Sequence, residues 1–146
     1  MEGLRKVAIA GLLAAASGGV LAQQPVKVGF VMFLSGPAAS PFGVPAKNAA
    51  DFVVEELNAG KGPAPYGKAG FGGSKIEMVA IDEAGPTTSV VTEYRNLVQR
   101  SNVDLVIGYI SSGSCLAIAP VAEELKKFTN FFDCGTPRIF EDASYK

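Results

Sequence analysis

Short apolar runs alternate along the chain with longer stretches in which apolar residues recur at every third or fourth position. That pattern predicts strands interleaved with amphipathic helices. Residues 25–34 form the first apolar run, and the Pro and Gly residues of 35–43 stop it. Residues 45–58 place Ala46, Ala49, Ala50, Val53 and Leu57 on one helical face, which predicts a helix packed on a sheet and ended by Asn58-Ala-Gly60. A second strand is predicted over 75–81. The next helix follows with Thr87 or Thr88 as its cap, Val91, Tyr94, Leu97 and Val98 as its apolar stripe, and Glu93, Arg95 and Arg100 toward water. Residues 104–110, almost all apolar and rich in Val and Ile, predict a strand buried on both faces. The helix after it covers 116–127, with Pro120 in its first turn or at a kink and Glu123, Glu124, Lys126 and Lys127 as a solvated face. Residues 129–133 predict a fourth strand, with Cys134-Gly-Thr-Pro137 as its exit turn, and residues 138–146 open with Ile139 and Phe140 and add no closing element. The order β-α-β-α-β-α-β gives the fold class α/β, a doubly wound parallel sheet with right-handed crossovers.

Two segments stand apart from this alternation. Residues 60–73 hold six glycines and two prolines, with Tyr66 and Phe71 as the large side chains. Such a piece builds no core; it is expected to be a surface connection, with a lid or partner-contact loop as the alternative. Asp82-Glu-Ala-Gly-Pro86 is expected to be a solvated turn. An acid after the second strand is also where dinucleotide folds hold a ribose, but the first turn lacks Gly-x-Gly-x-x-Gly.

The chemistry concentrates after the third strand, at Ser111-Ser-Gly-Ser114. Small side chains let a ligand approach the backbone, and the following helix would aim its free N–H groups and positive dipole end at that turn. An anion, most simply a carboxylate, suits such a place. The other reading is a capping turn alone. In open α/β sheets ligands sit outside the carboxyl ends of the strands, which puts the 134–137 turn beside Ser112.

Composition narrows the choice. The chain has 146 residues, 48% of them hydrophobic, a formal net charge of -1 and no histidine. This suits one soluble α/β domain. The weak charge argues against nucleic acid as a partner, and the missing histidine excludes a Ser-His-Asp mechanism and disfavours zinc. No catalytic residue, cofactor or metal is expected. Residues 1–22 combine Arg5 and Lys6, an apolar stretch and the small-residue ending Val20-Leu21-Ala22, and predict a secretory signal peptide cut after Ala22. Export to the periplasm as a soluble protein places Cys115 and Cys134 where disulfides persist. Neighbouring parallel strands would bring them together, and a bridge is worth about 3 kcal/mol; two buried thiols are the alternative.

The residues that close the reading are residues 26–34 with Ser35-Gly-Pro37, Phe42-Gly43, the Asn58-Ala-Gly60 helix end, Ile81-Asp-Glu83, Val106-Ile-Gly108 with Ser111-Ser-Gly-Ser114, Ala119-Pro-Val-Ala-Glu123, and Thr136-Pro137. In this order and spacing they resemble the type I periplasmic solute-binding proteins, above all the branched-chain amino acid (Leu/Ile/Val) and amide receptors of ABC transporters. The resemblance implies two α/β lobes joined by a hinge with ligand between them. Residues 23–146 would be the N-terminal part of the first lobe, with the second lobe absent from this chain. It further implies ligand binding by Ser112 through hydroxyl and backbone N–H, with Ser111 beside it. Cys134 and Thr136 would bind the ligand head group, and Phe42 would line its side-chain pocket. Phe stands at 42 where the leucine-type pattern has tyrosine, and Cys stands at 134, so an aromatic acid, an amide or a urea derivative suits the site as well as leucine does.

The expected function is an extracytoplasmic receptor that delivers a small amino acid, amide or other carboxylate to the membrane subunits of an ABC permease, without catalysis. A ligand-sensing module of a signalling system on the same fold is the alternative. A hydrolase using Ser112 or Ser114 is disfavoured by the missing histidine and the missing Gly-x-Ser-x-Gly.

Overall fold

The computed structural model describes residues 23–142, 144 and 145; the expected signal peptide, residues 1–22, lies outside the described residues. Four strands, β1 (Val26–Met32), β2 (Ile76–Asp82), β3 (Leu105–Gly108) and β4 (Thr129–Phe131), form one parallel sheet in the order β2-β1-β3-β4. The helices are α1 (Val44–Asn58), α2 (Thr87–Gln99), α3 (Ser112–Glu124) and the short α4 (Arg138–Glu141). Because the connection from β2 to β3 passes over β1 in the opposite sense to that from β1 to β2, right-handed crossovers put α1 on one face and α2 with α3 on the other. The fold is the expected doubly wound α/β arrangement.

The core lies between the sheet and the α2–α3 layer. Val31 and Val106 from the strands meet Tyr94 and Leu97 of α2 and Ile118 and Ala122 of α3. Gly29 sits where a Cβ would come 3.3 Å from Leu97, so the absence of a side chain lets α2 settle close to β1. Tyr94 carries its one polar atom into this layer and satisfies it on Thr129 Oγ1 at 2.7 Å.

Several local expectations need correction. The π-helical turn Ala39–Gly43 runs directly into α1, where a loop was expected. Gly43 permits this, since a Cβ there would overlap the backbone of Phe33. The face predicted for α1 is only partly used: Val53 is 51% exposed and α1 buries no residue fully, because no second helix of the described residues flanks it. The N-cap of α2 is the extended Pro86, with no side-chain cap, so neither Thr87 nor Thr88 serves; Val90 is the buried valine rather than Val91. α3 begins at Ser112 and not at 116, which puts Pro120 in its interior. Lys127 is not part of a solvated face: its ammonium donates to the Val103 carbonyl at 2.6 Å, tying the end of α3 to the start of β3. Glu124 makes a two-pronged ion pair with Arg95 across α2 and α3 at 2.6 and 3.0 Å.

The C-terminal end of α1 forms as expected. Ala59 is its C-cap and Gly60 follows at φ +71, the left-handed conformation that glycine adopts without steric cost. Asn58 then does more than end the helix: its amide exchanges two hydrogen bonds with the backbone of Ile76, at 2.8 and 2.9 Å, and so fixes where β2 starts. The 60–73 loop holds Tyr66 and Phe71 exposed at the surface.

Candidate functional site

All four strands are parallel, so their exit segments gather along one edge of the sheet. β3 reaches that edge with two constraints on its backbone. A Cβ at Gly108 would lie 2.4 Å from the Val31 carbonyl oxygen, so β1 and β3 approach too closely there for any side chain. Tyr109 then turns at φ +71, a conformation rarely taken by a bulky residue and costing on the order of 1–3 kcal/mol. The surroundings hold it in place: its ring is buried between Tyr94 and Phe131, at centroid distances of 6.5 and 6.0 Å. Burial pushes its phenol up, and the neighbouring Tyr94 and Glu83 act in the same direction.

This turn delivers Ser111 as the N-cap of α3. Its hydroxyl accepts a long 3.5 Å contact from the Ser114 N–H, and its carbonyl accepts from Cys115 at 2.9 Å. Ser112 and Gly113 occupy the first turn, where helix geometry offers their N–H groups no carbonyl. Both N–H groups and the helix dipole therefore face the sheet edge, where a carboxylate or amide oxygen is a fitting partner.

The exit turn of β4 lies against this start. The Ser112 hydroxyl is 3.7 Å from where a Gly135 Cβ would be. A disulfide joins Cys115, fully buried in the first turn of α3, to Cys134 beside Gly135, with the two Cα atoms 6.1 Å apart. Cys134 consequently offers a ligand its backbone rather than a thiol. The Thr136 hydroxyl accepts from the Arg138 N–H at 3.3 Å just before α4, which leaves its O–H proton free to donate elsewhere. Phe42 is 53% exposed in the π-helical turn, which packs on β1 and α1. The structure thus brings Ser111, Ser112 and the 134–136 turn together and holds Phe42 on a separate segment of the same edge.

The acidic pair at the end of β2 was expected in a solvated turn, and here the structure overturns the sequence reading. Glu83 is 1% exposed. Its two carboxylate oxygens accept from the N–H groups of Ile110 and Ser111, both at 2.9 Å, and its own N–H donates to Met32. The Asp82 carboxylate accepts from the Leu34 and Ala84 N–H groups, at 2.8 and 2.9 Å. Partial burial works against ionisation of Asp82, but hydrogen bonds from the Ser35 hydroxyl and from the backbone of Ala84, Leu34 and Ser35 outweigh it and hold the carboxyl below its usual range. A signal was available in the sequence. Two acids directly after a strand, at the carboxyl edge, stand beside exit loops whose N–H groups have no ladder partner.

A larger concavity, about 910 Å³, runs along the free edge of β4 between α3 and α4 and is lined by Phe128, Phe131, Ile139, Phe140 and Tyr145 among others. Its lining includes Cys134 but not Ser112. Among the described residues no group of three or more His, Cys, Asp or Glu side chains could hold a metal ion, and no helix is long and apolar enough to cross a membrane.

Among solved structures, the chain is similar to the branched-chain amino acid transporter substrate-binding protein LivJ of Streptococcus pneumoniae in complex with isoleucine, at 25% identity and TM-score 0.69, over 84% of this chain and 32% of that one. It is similar to a solute-binding protein of an ABC transporter from Rhodopseudomonas palustris in complex with 3,4-dihydroxybenzoic acid, at 25% identity and TM-score 0.62, over 83% of this chain and 30% of that one. The fold is shared with an ABC transporter substrate-binding protein from Sphaerobacter thermophilus, at 22% identity and TM-score 0.65, over 80% of this chain and 28% of that one. The chain therefore spans less than a third of the length of each of these proteins. No curated protein matches it. Residues 25–135, from the first strand to the exit turn of the fourth, match the periplasmic binding protein family, and to that family the chain belongs.

Proposed function

We propose that this chain supplies one wall of an exported, periplasmic solute receptor that hands a small amino acid, amide or other carboxylate to an ABC permease. One observation carries the reading. The first turn of α3 presents the Ser112 hydroxyl and the N–H groups of Ser112 and Gly113 at the carboxyl edge, directly beside the 134–136 turn. We read it as an oxygen-binding corner, and among the described residues no hydrogen bond links Ser112 to a base. Residues 1–22 act as the signal peptide, and residues 23–146 form the N-terminal part of a first lobe in a two-lobe protein. Ser111, Ser112, Cys134 and Thr136 contact the ligand head group, and Phe42 lines its side chain. The related proteins hold isoleucine and 3,4-dihydroxybenzoate, which brackets the ligand as a small molecule with a carboxylate.

Calorimetric titration of the full-length protein with branched-chain amino acids, short amides and benzoates tests this. One class should bind, and Ser112→Ala should weaken it by about tenfold to a hundredfold, the equivalent of one charge-assisted hydrogen bond of about 1.5–3 kcal/mol. Binding by none of the three classes, or unchanged affinity in Ser112→Ala, would overturn the assignment.

A further inference from the structure

Two neighbouring acids reach two different loops of the candidate site. Asp82 fixes the exit of β1 through the Leu34 N–H and holds its own turn through the Ala84 N–H. That exit leads into the turn carrying Phe42. Glu83, pointing the other way, fixes the exit of β3 through the N–H groups of Ile110 and Ser111, immediately before Ser112. Successive residues of a strand point to opposite sides, so one dipeptide at the end of β2 can serve both loops. Glu83 is also anchored from behind, its own N–H donating to Met32 at 2.7 Å.

We infer that Asp82 and Glu83 are the positioning residues of the solute site, Glu83 setting the turn that aims Ser112 and Gly113 outward and Asp82 setting the loop that leads to Phe42. Neither acid is required to touch the ligand. Glu83 occupies the two N–H groups just before the helix, so the next two are the ones left for a solute oxygen. A shorter or differently charged side chain would free Ile110 and Ser111 to rotate, and a solute would meet a turn without a fixed set of donors. The inference rests on the solute-binding reading for its purpose, but its structural content can be measured without any solute.

Amide hydrogen exchange followed by NMR on the full-length protein, on Glu83→Gln and on Asp82→Asn, supplies that test. Gln keeps the size of Glu83 but turns an N–H₂ toward one of the two donors. Exchange at Ile110, Ser111 and Cys115 should rise by about tenfold or more in Glu83→Gln, while Leu34, Ala84 and the core amide Val106 stay unchanged. Asp82→Asn should give the reverse pattern, with Leu34 and Ala84 affected and Ile110 and Ser111 spared. A uniform rise across the sheet, no rise, or the same pattern from both variants would overturn the inference. If Glu83→Gln does not fold, Glu83→Asp keeps the charge, falls short of the two donors and must give the same local pattern. The probes L-isoleucine and 3,4-dihydroxybenzoate add the functional arm: whichever the native protein binds should bind about tenfold more weakly to Glu83→Gln, and equal affinity would refute a positioning role. If the native protein binds neither, that counts against the solute reading alone, and the exchange pattern still decides whether the acids position the loops.

Discussion

Breaking the bond between Cys115 and Cys134 tests how the site is held together. The disulfide closes a loop with a sequence separation of 19. The chain-entropy relation for such a loop gives about 3 kcal/mol of stabilisation, through restriction of the unfolded chain. Against the roughly 5–15 kcal/mol by which domains are stable, this is a large share, and its loss raises the unfolded fraction on the order of a hundredfold. The closed loop holds most of α3 and all of β4, and its two ends adjoin the two segments of the candidate site, residues 111–113 and the 134–136 turn. The assay is urea unfolding of the oxidised protein and of the same protein after reduction, with two free thiols confirmed by titration. Reduction is preferable to substitution because Cys115 is fully buried and an alanine there would add a cavity term. The midpoint should fall by an amount equivalent to about 3 kcal/mol. Coincident midpoints with two titrated thiols would refute the reasoning.

Three further outcomes follow from the packing and charge of the fold. Leu97, 1% exposed between α2 and the sheet, should cost about 2–5 kcal/mol when replaced by Ala, read as a lower urea midpoint. Gly108→Ala would drive a methyl group onto the Val31 carbonyl, backbone against backbone, and should cost on the order of 3 kcal/mol or more, read as loss of cooperative unfolding. Asp82 has its carboxyl held below the usual range in the folded state. Its contribution is therefore present above the unfolded value and lost as pH falls through the folded one. Asp82→Asn should flatten the decline in urea midpoint as pH falls through and below the usual carboxylate range, and an unchanged profile would assign that decline to other groups.

Elements were legible in the sequence wherever one period dominated. The Val- and Ile-rich run of β3, the alternation of β2 and the stripe of α2 each appear where the apolar pattern puts them, to within a few residues. Boundaries failed where backbone chemistry outweighed pattern. Ser112 to Ser114 have low helix preference, yet the Ser111 cap and the disulfide at Cys115 start α3 there. α1 was misread for a different reason. Its apolar stripe was assigned to the sheet, but among the described residues one helix on that face covers only part of the sheet, and Val53 stays outside. The serine turn was legible as a small-residue turn that starts a helix at the carboxyl edge. What held it was not, because Glu83 meets its partners more than 20 residues away along the chain, and a solvated turn and a buried clamp use the same residue types.

The energetics of the corner explain why one wall is an incomplete receptor on the proposed reading. Ser112 and Gly113 can give a solute oxygen about two charge-assisted hydrogen bonds, each worth about 1.5–3 kcal/mol. Micromolar binding needs about 8 kcal/mol beyond the cost of immobilising the solute, which is itself several kcal/mol. Two bonds at an exposed edge, where water competes for the same donors, fall well short of that sum. A second surface closing over the solute would remove the water and strengthen both bonds, and it would add apolar burial against the exposed ring of Phe42. The first wall therefore contributes register more than affinity. On the proposed reading the turn, held by Glu83 and the disulfide, would fix where a carboxylate or amide sits, and the rest of the binding energy would come from a surface that closes on it.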